Sequence, residues 1–433
     1  MADKRFHLGL FMNFTANEWN TSFGNDGMPF NGKFHIGMAK AMEKACFDYI
    51  MIEDTLMVSE AYGGTSEVYL KYATMAPKHD PAPLAAIMAA ATSSMGIVAT
   101  MSTTFYPPFL LARLCSTLDS IAEGRFGWNI VTSGEDGSAQ NFGMDKLTEH
   151  DLRYDIADEY LDLVCQLWES WEPDAVIRDH ETNTYADFKK VHAIHFAGKY
   201  FKSRGPLNTV RSPQGRPSFV QAGGSPKGRQ FASKYADSII AVANGVEGMK
   251  AYRDDVRARA AAQGRNPDDI KVLFVVSPTL GATEEEAVAR KRNFVESDQF
   301  FEQSLASISS VTDIDFSQFD LDEPLPPLET NGERGSLDKF AQWGSGKTLR
   351  QLVIDAGGTS DSIELVGTPD QVADKMGETM EQVGGDGFLI SKKKVSTHYI
   401  TEICEGLIPA LQRKGLARTE YQHAHLRDTL REF

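Results

Sequence analysis

The sequence predicts an α/β protein of the TIM-type (β/α)8 barrel class, because eight short apolar runs alternate with amphipathic helical patterns. Most of these runs are continuously apolar, as expected for parallel strands covered on both faces. An open, doubly wound sheet is the alternative, since alternation alone does not show that a sheet closes. The strand candidates are residues 6–12, 48–54, 95–101, 126–132, 217–223, 237–243, 271–280 and 386–391.

A helical pattern, with apolar residues three or four positions apart, follows each strand candidate. Another helical pattern, residues 369–383, precedes the last strand. The patterns that follow the strands are residues 36–47, 83–94, 108–123, 150–171, 225–236, 248–262, 284–296 and 399–415.

Two spans fall outside the eightfold count, residues 173–216 and residues 300–366. Loops of this length in a compact domain usually act as lids or binding segments. Neither span resembles an independent domain, and no internal repeat is present. We therefore expect a single barrel domain over residues 1–433, with these two spans as insertions.

The composition is that of an ordinary globular protein, with 42% hydrophobic and 24% charged residues. A net charge of -16 argues against nucleic-acid binding, which requires clustered Lys and Arg. Neither a signal peptide nor a membrane-spanning apolar stretch is apparent. The four cysteines are widely spaced and lack metal-binding motifs. We therefore expect a cytoplasmic protein that binds neither nucleic acid nor membrane.

The fifth strand candidate ends in QAGGSPKGR, which has the features of a phosphate cradle. Gly223 and Gly224 permit a tight turn, Ser225 is a good N-cap, and Pro226 suits the first helical position. The helix would direct free backbone N–H groups and its positive dipole end at a ligand. The alternative is a well-capped structural turn.

His150 opens the fourth helical pattern and Tyr154 lies one turn later on the same face. The stripe continues through Ala157, Leu161 and Trp168, so this face points into the protein. The pattern predicts two hydrogen-bonding rings at the mouth of the barrel. The alternative is a packing histidine beside an amphipathic tyrosine.

Polar residues also end the second, third and fourth strand candidates, on the face where barrel enzymes carry their active sites. They are Asp54 after the second, Ser102, Thr103 and Thr104 after the third, and Asn129, Thr132 and Ser133 after the fourth. Together they predict a polar ring, although a single Ser or Thr is more often a strand-end cap.

Two other patterns do not indicate sites. GSGKT at residues 344–348 resembles the end of a P-loop, but Ala341 replaces the leading glycine and no strand precedes it. His192 and His195 lack a carboxylate-rich partner segment, so no metal site is predicted.

The chain resembles the bacterial luciferase-like flavin monooxygenase superfamily, within it the nitrilotriacetate, dibenzothiophene-sulfone and long-chain-alkane monooxygenase group. The similarity spans residues 6–430 and includes QAGGSPKGRQFA, VGTPDQVADKM and GGDGFLIS. Further matching motifs are STTFYPPF (102–109), ARLCSTLDSIAEGRFGWNIVTS (112–133), EHDLRYDIADEYLDLVCQLWESWE (149–172) and GKYFKSRGPLNTVRSPQGRP (198–217).

This resemblance implies a barrel that receives reduced FMN from a separate NAD(P)H-dependent flavin reductase and uses O2 to oxygenate a small organic compound. It also implies a homodimer or homotetramer. Matched motif by motif, the flavin contacts would be Asp54, Ser102 or Thr103, Asn129, His150, Tyr154 and Ser225, with His150 and Tyr154 also catalytic.

The reaction class implied is C–N, C–S or C–H oxidation. The alternatives are a non-catalytic flavin-binding protein and a deazaflavin-dependent oxidoreductase of the same superfamily. Three segments that should border the substrate depart from relatives: the loop at residues 13–34, Gly134 where some members carry a histidine, and the basic LISKKKVSTHY. Lys392 and the two lysines after it would suit an anionic substrate, although a solvated charge run is the simpler interpretation.

Overall fold

The computed structural model describes residues 5–12, 32–342, 346–355, 361–392 and 395–433. Eight parallel strands form a closed barrel in the order β1-β8-β7-β6-β5-β4-β3-β2. The predicted barrel is therefore confirmed, and the open sheet is excluded. The strands are β1 His7–Met12, β2 Tyr49–Ile52, β3 Gly96–Ser102, β4 Phe126–Val131, β5 Ser218–Ala222, β6 Ser238–Ala241, β7 Lys271–Val276 and β8 Gly387–Ser391.

Helices lie between and around these strands. In the first part of the chain they are α1 Lys33–Lys44, α2 Glu67–Tyr72, α3 Pro81–Ala91, α4 Pro108–Ile121, α5 Asp136–Asn141, α6 His150–Glu169, α7 Pro226–Tyr235 and α8 Gly245–Ala262. The later ones are α9 Glu284–Val295, α10 Asp298–Thr312, α11 Arg334–Gln342, α12 Leu349–Asp355, α13 Pro369–Val383, α14 Thr397–Thr401, α15 Ile408–Arg413 and α16 Leu426–Leu430. A π-helical turn, Glu402–Leu407, joins α14 to α15.

Side chains alternate between the two faces of the barrel wall, as strand geometry requires. Tyr49 and Met51 belong to the cluster that fills the barrel, whereas Ile50 and Ile52 belong to the core between sheet and helices. Leu426 of α16 joins the interior cluster and lies against Gly96 and Gly127 near the starts of β3 and β4. The amino-terminal end of the barrel is thus covered by α16.

The seventh strand is shorter than the sequence predicts. The barrel strand β7 ends at Val276, and Thr279–Leu280 forms a separate parallel pair with Val366–Gly367. The insertion at residues 173–216 contains two small antiparallel pairs, Val176–Asp179 with Thr184–Ala186 and Phe196–Ala197 with Lys202–Ser203.

The second insertion is largely helical rather than a loop. Its helices α10, α11 and α12 share a separate apolar cluster that includes Phe300, Phe316 and Phe340. The helix α10 was not among the predicted helices, although Phe301, Leu305 and Ile308 recur three or four positions apart on one face. Ten of its fifteen residues are buried, among them the polar Gln303 and Ser309.

Among the described residues, no helix is both long enough and apolar enough to cross a membrane.

Candidate active site

A cavity of about 680 Å³ lies at the carboxyl end of the barrel strands. Its floor comes from the ends of β4 to β8, and α10 with the start of α11 covers it. Apolar side chains make up much of its wall. They are Phe11, Met75, Ile130, Val131, Ile240, Val242, Val275, Phe294, Phe300, Ile308 and Val311. A partly enclosed, mainly apolar cavity of this volume is typical of a site for a small molecule or an organic cofactor.

The predicted helix cap after β5 is confirmed. The Ser225 Oγ accepts a hydrogen bond from the Gly228 backbone N–H at 3.0 Å, and Pro226 occupies the first turn of α7. Gly223, Gly224 and Ser225 all line the cavity, so the start of α7 faces into it. This placement provides backbone N–H groups and a positive dipole end for an anion.

The second insertion touches this turn directly. A Cβ on Gly224 would lie 3.0 Å from the Cα of Gly335, and a Cβ on Gly335 would lie 2.7 Å from the Cα of Gly224. The two backbones approach more closely than side chains would allow. Arg334, which precedes Gly335, also lines the cavity and adds a positive charge there.

His150 and Tyr154 both line the cavity, as the sequence predicts. His150 is the first residue of α6, its ring centroid is 5.2 Å from that of Tyr154, and its Nδ1 lies 2.7 Å from the Asp151 carboxylate. Burial lowers the pKa of His150, against the opposing effect of Asp151. The imidazole is therefore neutral near pH 7, and a proton on Nδ1 donated to Asp151 leaves Nε2 as an acceptor.

Tyr154 remains protonated over the physiological range. Burial raises its pKa to about 12, the charge of Glu333 raises it further, and hydrogen bonds with Thr132 and Ser225 act in the opposite direction. Its hydroxyl is a hydrogen-bond donor beside the start of α7. The His–Tyr pair and the α7 turn thus belong to one site.

Of the predicted polar ring, Thr132 and Ser133 line the cavity. The four proposed flavin contacts Asp54, Ser102, Thr103 and Asn129 lie at the same end of the barrel but do not line it. Ser102 accepts a hydrogen bond from the Ser133 hydroxyl at 2.9 Å, and the Thr103 hydroxyl donates to the Val131 carbonyl at 3.3 Å. Both are buried strand-end residues. Their hydroxyls therefore reach the cavity only through Val131 and Ser133, which do line it.

Asn129 is buried in β4, where its amide nitrogen donates to the Thr100 hydroxyl at 2.9 Å. Its Oδ1 has no hydrogen-bond partner among the described residues, and the same is true of the Gln221 Oε1 in β5. Gln221 lines the cavity. Buried amide oxygens normally find a donor, and the Gln221 Oε1 is placed to accept one from a molecule in the cavity.

Asp54 follows β2 and accepts a hydrogen bond from the Thr55 backbone N–H at 2.9 Å. Burial raises the pKa of its carboxyl to about 7, while Lys78 acts in the opposite direction. The neighbouring residue, Glu53, lines the cavity and pairs with Lys78 at 2.6 Å. Asp54 thus lies beside the cavity rather than in its wall.

Several cavity residues were not predicted from the sequence. Gln221 lies one residue before the end of β5, so its position near a strand end could have indicated it. Arg153 lies on α6, one position before Tyr154. Glu333 and Arg334 carried no comparable signal, because their approach depends on how the second insertion folds back. Asn331 accepts a hydrogen bond from the His150 backbone N–H at 3.0 Å and thereby joins that insertion to the start of α6.

The three segments in which the sequence departs from relatives lie in different places. A Cβ on Gly134 would lie 3.2 Å from the Cγ of Glu333, so the second insertion occupies the space beside this glycine. Lys392 lines the cavity. Residues 13–31 and 393–394 lie outside the described residues, as do residues 344–345 of the GSGKT motif.

Comparison with known proteins gives a consistent result. The family model for luciferase-like monooxygenases matches residues 7–387. Dibenzothiophene-sulfone monooxygenase of Rhodococcus erythropolis is 37% identical over 95% of this chain and 92% of the relative. Nitrilotriacetate monooxygenase component A of Aminobacter aminovorans is 33% identical over 99% and 97%. A crystal structure of riboflavin lyase with modified FMN and riboflavin has a TM-score of 0.88 at 31% identity, covering 99% of this chain and 96% of that one.

Proposed function

Because the chain belongs to the luciferase-like monooxygenase family and is a flavin-dependent monooxygenase, we propose that it binds FMN in the cavity and oxygenates a small organic compound. Reduced FMN would come from a separate NAD(P)H-dependent flavin reductase, and O2 would supply the inserted atom. The observation that carries the proposal is one cavity shared by the capped start of α7 and the His150–Tyr154 pair. The reaction would be oxidation at a C–N, C–S or C–H bond.

The polar atoms around the cavity suit a flavin. The pyrimidine edge of the flavin ring carries an N–H between two carbonyl groups, and the buried Gln221 and Asn129 amide oxygens await donors. Gln221 is the nearer candidate because it lines the cavity, whereas Asn129 lies deeper in the wall. Asp54, Ser102 and Thr103 lie behind the residues that line the cavity. From there they would interact with the edge of the flavin ring.

The phosphate of FMN would lie at the start of α7. The Ser225 hydroxyl, free N–H groups of the first turn and the guanidinium of Arg334 are the groups available there. A doubly charged phosphate interacts favourably with a helix amino terminus and with a guanidinium. Gly224 and Gly335 let the backbone of the second insertion approach this turn closely, which brings Arg334 to the same place.

A bound reduced flavin supplies the electrons that activate O2, and the protein must position the reactants and manage protons. His150 can accept or return a proton at Nε2, since Asp151 fixes the tautomer through Nδ1. The Tyr154 hydroxyl can donate a hydrogen bond to a developing negative charge on oxygen.

Exclusion of water is the other task of the protein. Apolar side chains of β6 and β7 form the floor, and Phe300 and Ile308 of α10 close the cavity from above. A cavity from which water is excluded prevents side reactions with water during oxygen activation. It also strengthens hydrogen bonds from the His150 and Tyr154 rings. The contribution of α10 is therefore protective as well as structural.

The proposed function is tested with purified protein, NADH, FMN and any flavin reductase, while oxygen consumption and product are followed by electrode and mass spectrometry. Sulfones, aminocarboxylates, thioethers and alkanes form the substrate panel. We expect one class to couple oxygen use to an oxygenated product. Tight binding of oxidised FMN without such coupling would support a flavin-storage protein, and hydride transfer with a deazaflavin would support the other alternative.

His150 provides a direct test of the catalytic assignment. We expect His150→Phe to lower product formation about a hundredfold, because general acid–base groups contribute roughly 10²–10⁴. Oxygen consumption should then yield mostly hydrogen peroxide. The matched control is His423→Phe at an exposed position, which should leave coupling unchanged. Unchanged turnover and unchanged FMN affinity in His150→Phe would remove His150 from the mechanism.

We also propose that the enzyme works in the cytoplasm, where NAD(P)H is available to reduce the flavin through the reductase. We propose further that it is a homodimer or homotetramer. Ile177 and Tyr185 on the hairpin of the first insertion and Phe188 just after it are exposed to 48%, 57% and 80%. Large apolar side chains exposed along one segment favour an interface between copies of the chain. Light scattering coupled to size exclusion measures the state, and a monomer at micromolar concentration would contradict it.

A further inference from the structure

The β7–β8 side of the cavity carries positive charge of its own, separate from the α7 cradle at β5. Two lysines line this side, Lys291 on α9 and Lys392 immediately after β8. The strand order β5-β6-β7-β8 places one whole strand, β6, between the cradle and this pair of strands. The two groups of cations are therefore available to two different anions.

The Lys392 ammonium has aromatic neighbours rather than an acidic partner. Its Nζ lies 5.2 Å from the ring centroid of Tyr399 and 5.8 Å from that of Phe294. Within the part of the chain that the structure describes, no hydrogen bond or ion pair of this ammonium is found. Half-buried ammonium groups normally contact an anion or water. The Tyr399 and Phe294 rings accept no conventional hydrogen bond, so the N–H donors of Lys392 remain available to a ligand.

Lys291 is the second ammonium at this position. It lies one turn before Phe294 on the cavity-facing side of α9. Burial lowers the pKa of Lys392, and the charge of Lys291 lowers it further. The two ammonium groups therefore repel each other, and an anion placed between them would relieve that repulsion.

The acidic groups nearby do not neutralise both lysines. Asp361 lines this side of the cavity and provides one negative charge. Glu402 also acts on Lys392, but it pairs with Arg290 at 2.5 Å, and Arg290 in turn pairs with Glu286 at 2.7 Å. Two ammonium groups against the one carboxylate of Asp361 leave an excess of positive charge facing the cavity.

We propose that Lys291 and Lys392 form a subsite for an anionic group of the substrate, a carboxylate or a sulfonate. This inference rests on the proposed function, since it assigns the cavity's second ligand. Phe294 and Phe300 line the same side, so the fitting substrate joins an anionic group to an apolar body. The subsite fixes one end of the substrate and leaves the other end for oxidation beside the flavin.

The experiment uses two pairs of probes with matched shape and different charge, benzenesulfonate with benzenesulfonamide and hexanoate with hexanamide. Binding to the FMN-loaded protein is measured by calorimetry at pH 7. We expect at least one anion to bind about tenfold more tightly than its neutral partner. This preference should disappear in Lys392→Met, weaken in Lys291→Met and persist in Lys392→Arg.

The matched control is Lys375→Met, which removes an exposed lysine of α13 and should leave the preference intact. Thermal unfolding of each variant identifies any that fail to fold. The Lys392→Arg variant keeps the positive charge and so tests whether charge is what the anion recognises. The preference for the anion should be lost as pH rises and Lys392 loses its proton. Because the pKa of Lys392 is lowered, this loss should occur at a lower pH than for an ordinary lysine.

Three results would overturn the inference. The first is equal binding of both anions and their neutral partners to the wild-type protein. The second is a preference that survives in Lys392→Met. The third is a Lys392→Met variant that loses affinity for FMN but not for riboflavin, since the lysine would then hold the flavin phosphate. Anion preference in a protein that binds no FMN would instead contradict the proposed function and leave the subsite standing.

Discussion

Asp54 illustrates how burial at the scale of one residue changes chemistry beside the cavity. The carboxyl follows β2, and burial raises its pKa from 3.8 to about 7, with repulsion from Asp80 and Glu53 adding to this effect. The Lys78 ammonium opposes the shift but pairs with Glu53. The group therefore changes charge close to neutral pH, whereas a carboxyl with an ordinary pKa near 4 is fully ionised there.

A raised carboxyl pKa makes the folded protein less stable as pH rises. The folded state binds the Asp54 proton more tightly than the unfolded state, so stability is lost between about pH 4 and pH 7. We expect Asp54→Asn to raise the free energy of unfolding by about 1 kcal/mol or more at pH 8, after allowance for partial exposure, and much less at pH 4.5. Urea unfolding of the flavin-free protein measures both values.

The control for this prediction is Asp145→Asn, which removes the carboxylate of an exposed residue away from the cavity. An equal effect of Asp54→Asn at both pH values would show that the Asp54 carboxyl titrates normally.

At the scale of one element, α7 combines a structural cap with a proposed phosphate site. Ser225→Ala should cost about 1 kcal/mol of stability, because the Gly228 N–H loses its acceptor. It should also weaken FMN binding but leave riboflavin binding nearly unchanged. Ser225→Asp separates the two roles, since a carboxylate caps the helix but repels a phosphate. Thermal unfolding and flavin titration together measure these effects.

Thr283 offers a matched control, because its hydroxyl caps α9 in the same way through the Glu286 N–H. Thr283→Ala should cost similar stability without changing flavin affinity. If Ser225→Asp binds FMN as tightly as the wild type, the phosphate does not lie at α7.

The barrel elements could be predicted from the sequence because each depends on local patterns. Continuous apolar runs located all eight strands to within a few residues, and capping rules located the start of α7. The α10 helix was not predicted, although its Phe301, Leu305 and Ile308 have helical spacing. Its burial on several faces, which includes Gln303 and Ser309, depends on how the insertion packs and is not recorded in any local pattern.

The site could be predicted only in part, since some of its residues lie on helices of the barrel and others lie in the second insertion. His150, Tyr154 and Ser225 sit at helix starts that follow barrel strands, so the fold brings them together. Glu333 and Arg334 reach the cavity because a remote insertion folds back over it, and no local pattern records that approach. Asp54 and Asn129 were placed at the correct end of the barrel, but the cavity wall lies in front of them.

For the whole molecule, we propose that residues 1–433 form one domain with insertions at residues 173–216 and 300–366. Hydrogen bonds from His150 to Asn331 and from the Asp136 N–H to Asp313 join the second insertion to the barrel. We therefore expect urea unfolding followed by far-UV circular dichroism and by tryptophan fluorescence to give coincident transitions. Two separated transitions would show that the insertion folds as a unit of its own.

The close contact between Gly224 and Gly335 has a consequence for how such an enzyme can diversify. Any side chain at either position would push the insertion away from the start of α7, so a lineage cannot alter one glycine without disturbing the other. The β7–β8 side presents long, flexible lysine side chains, which can be exchanged without moving a backbone. If the two proposals hold, descendants can acquire new substrates at Lys291 and Lys392 while they inherit the turn before α7 unchanged.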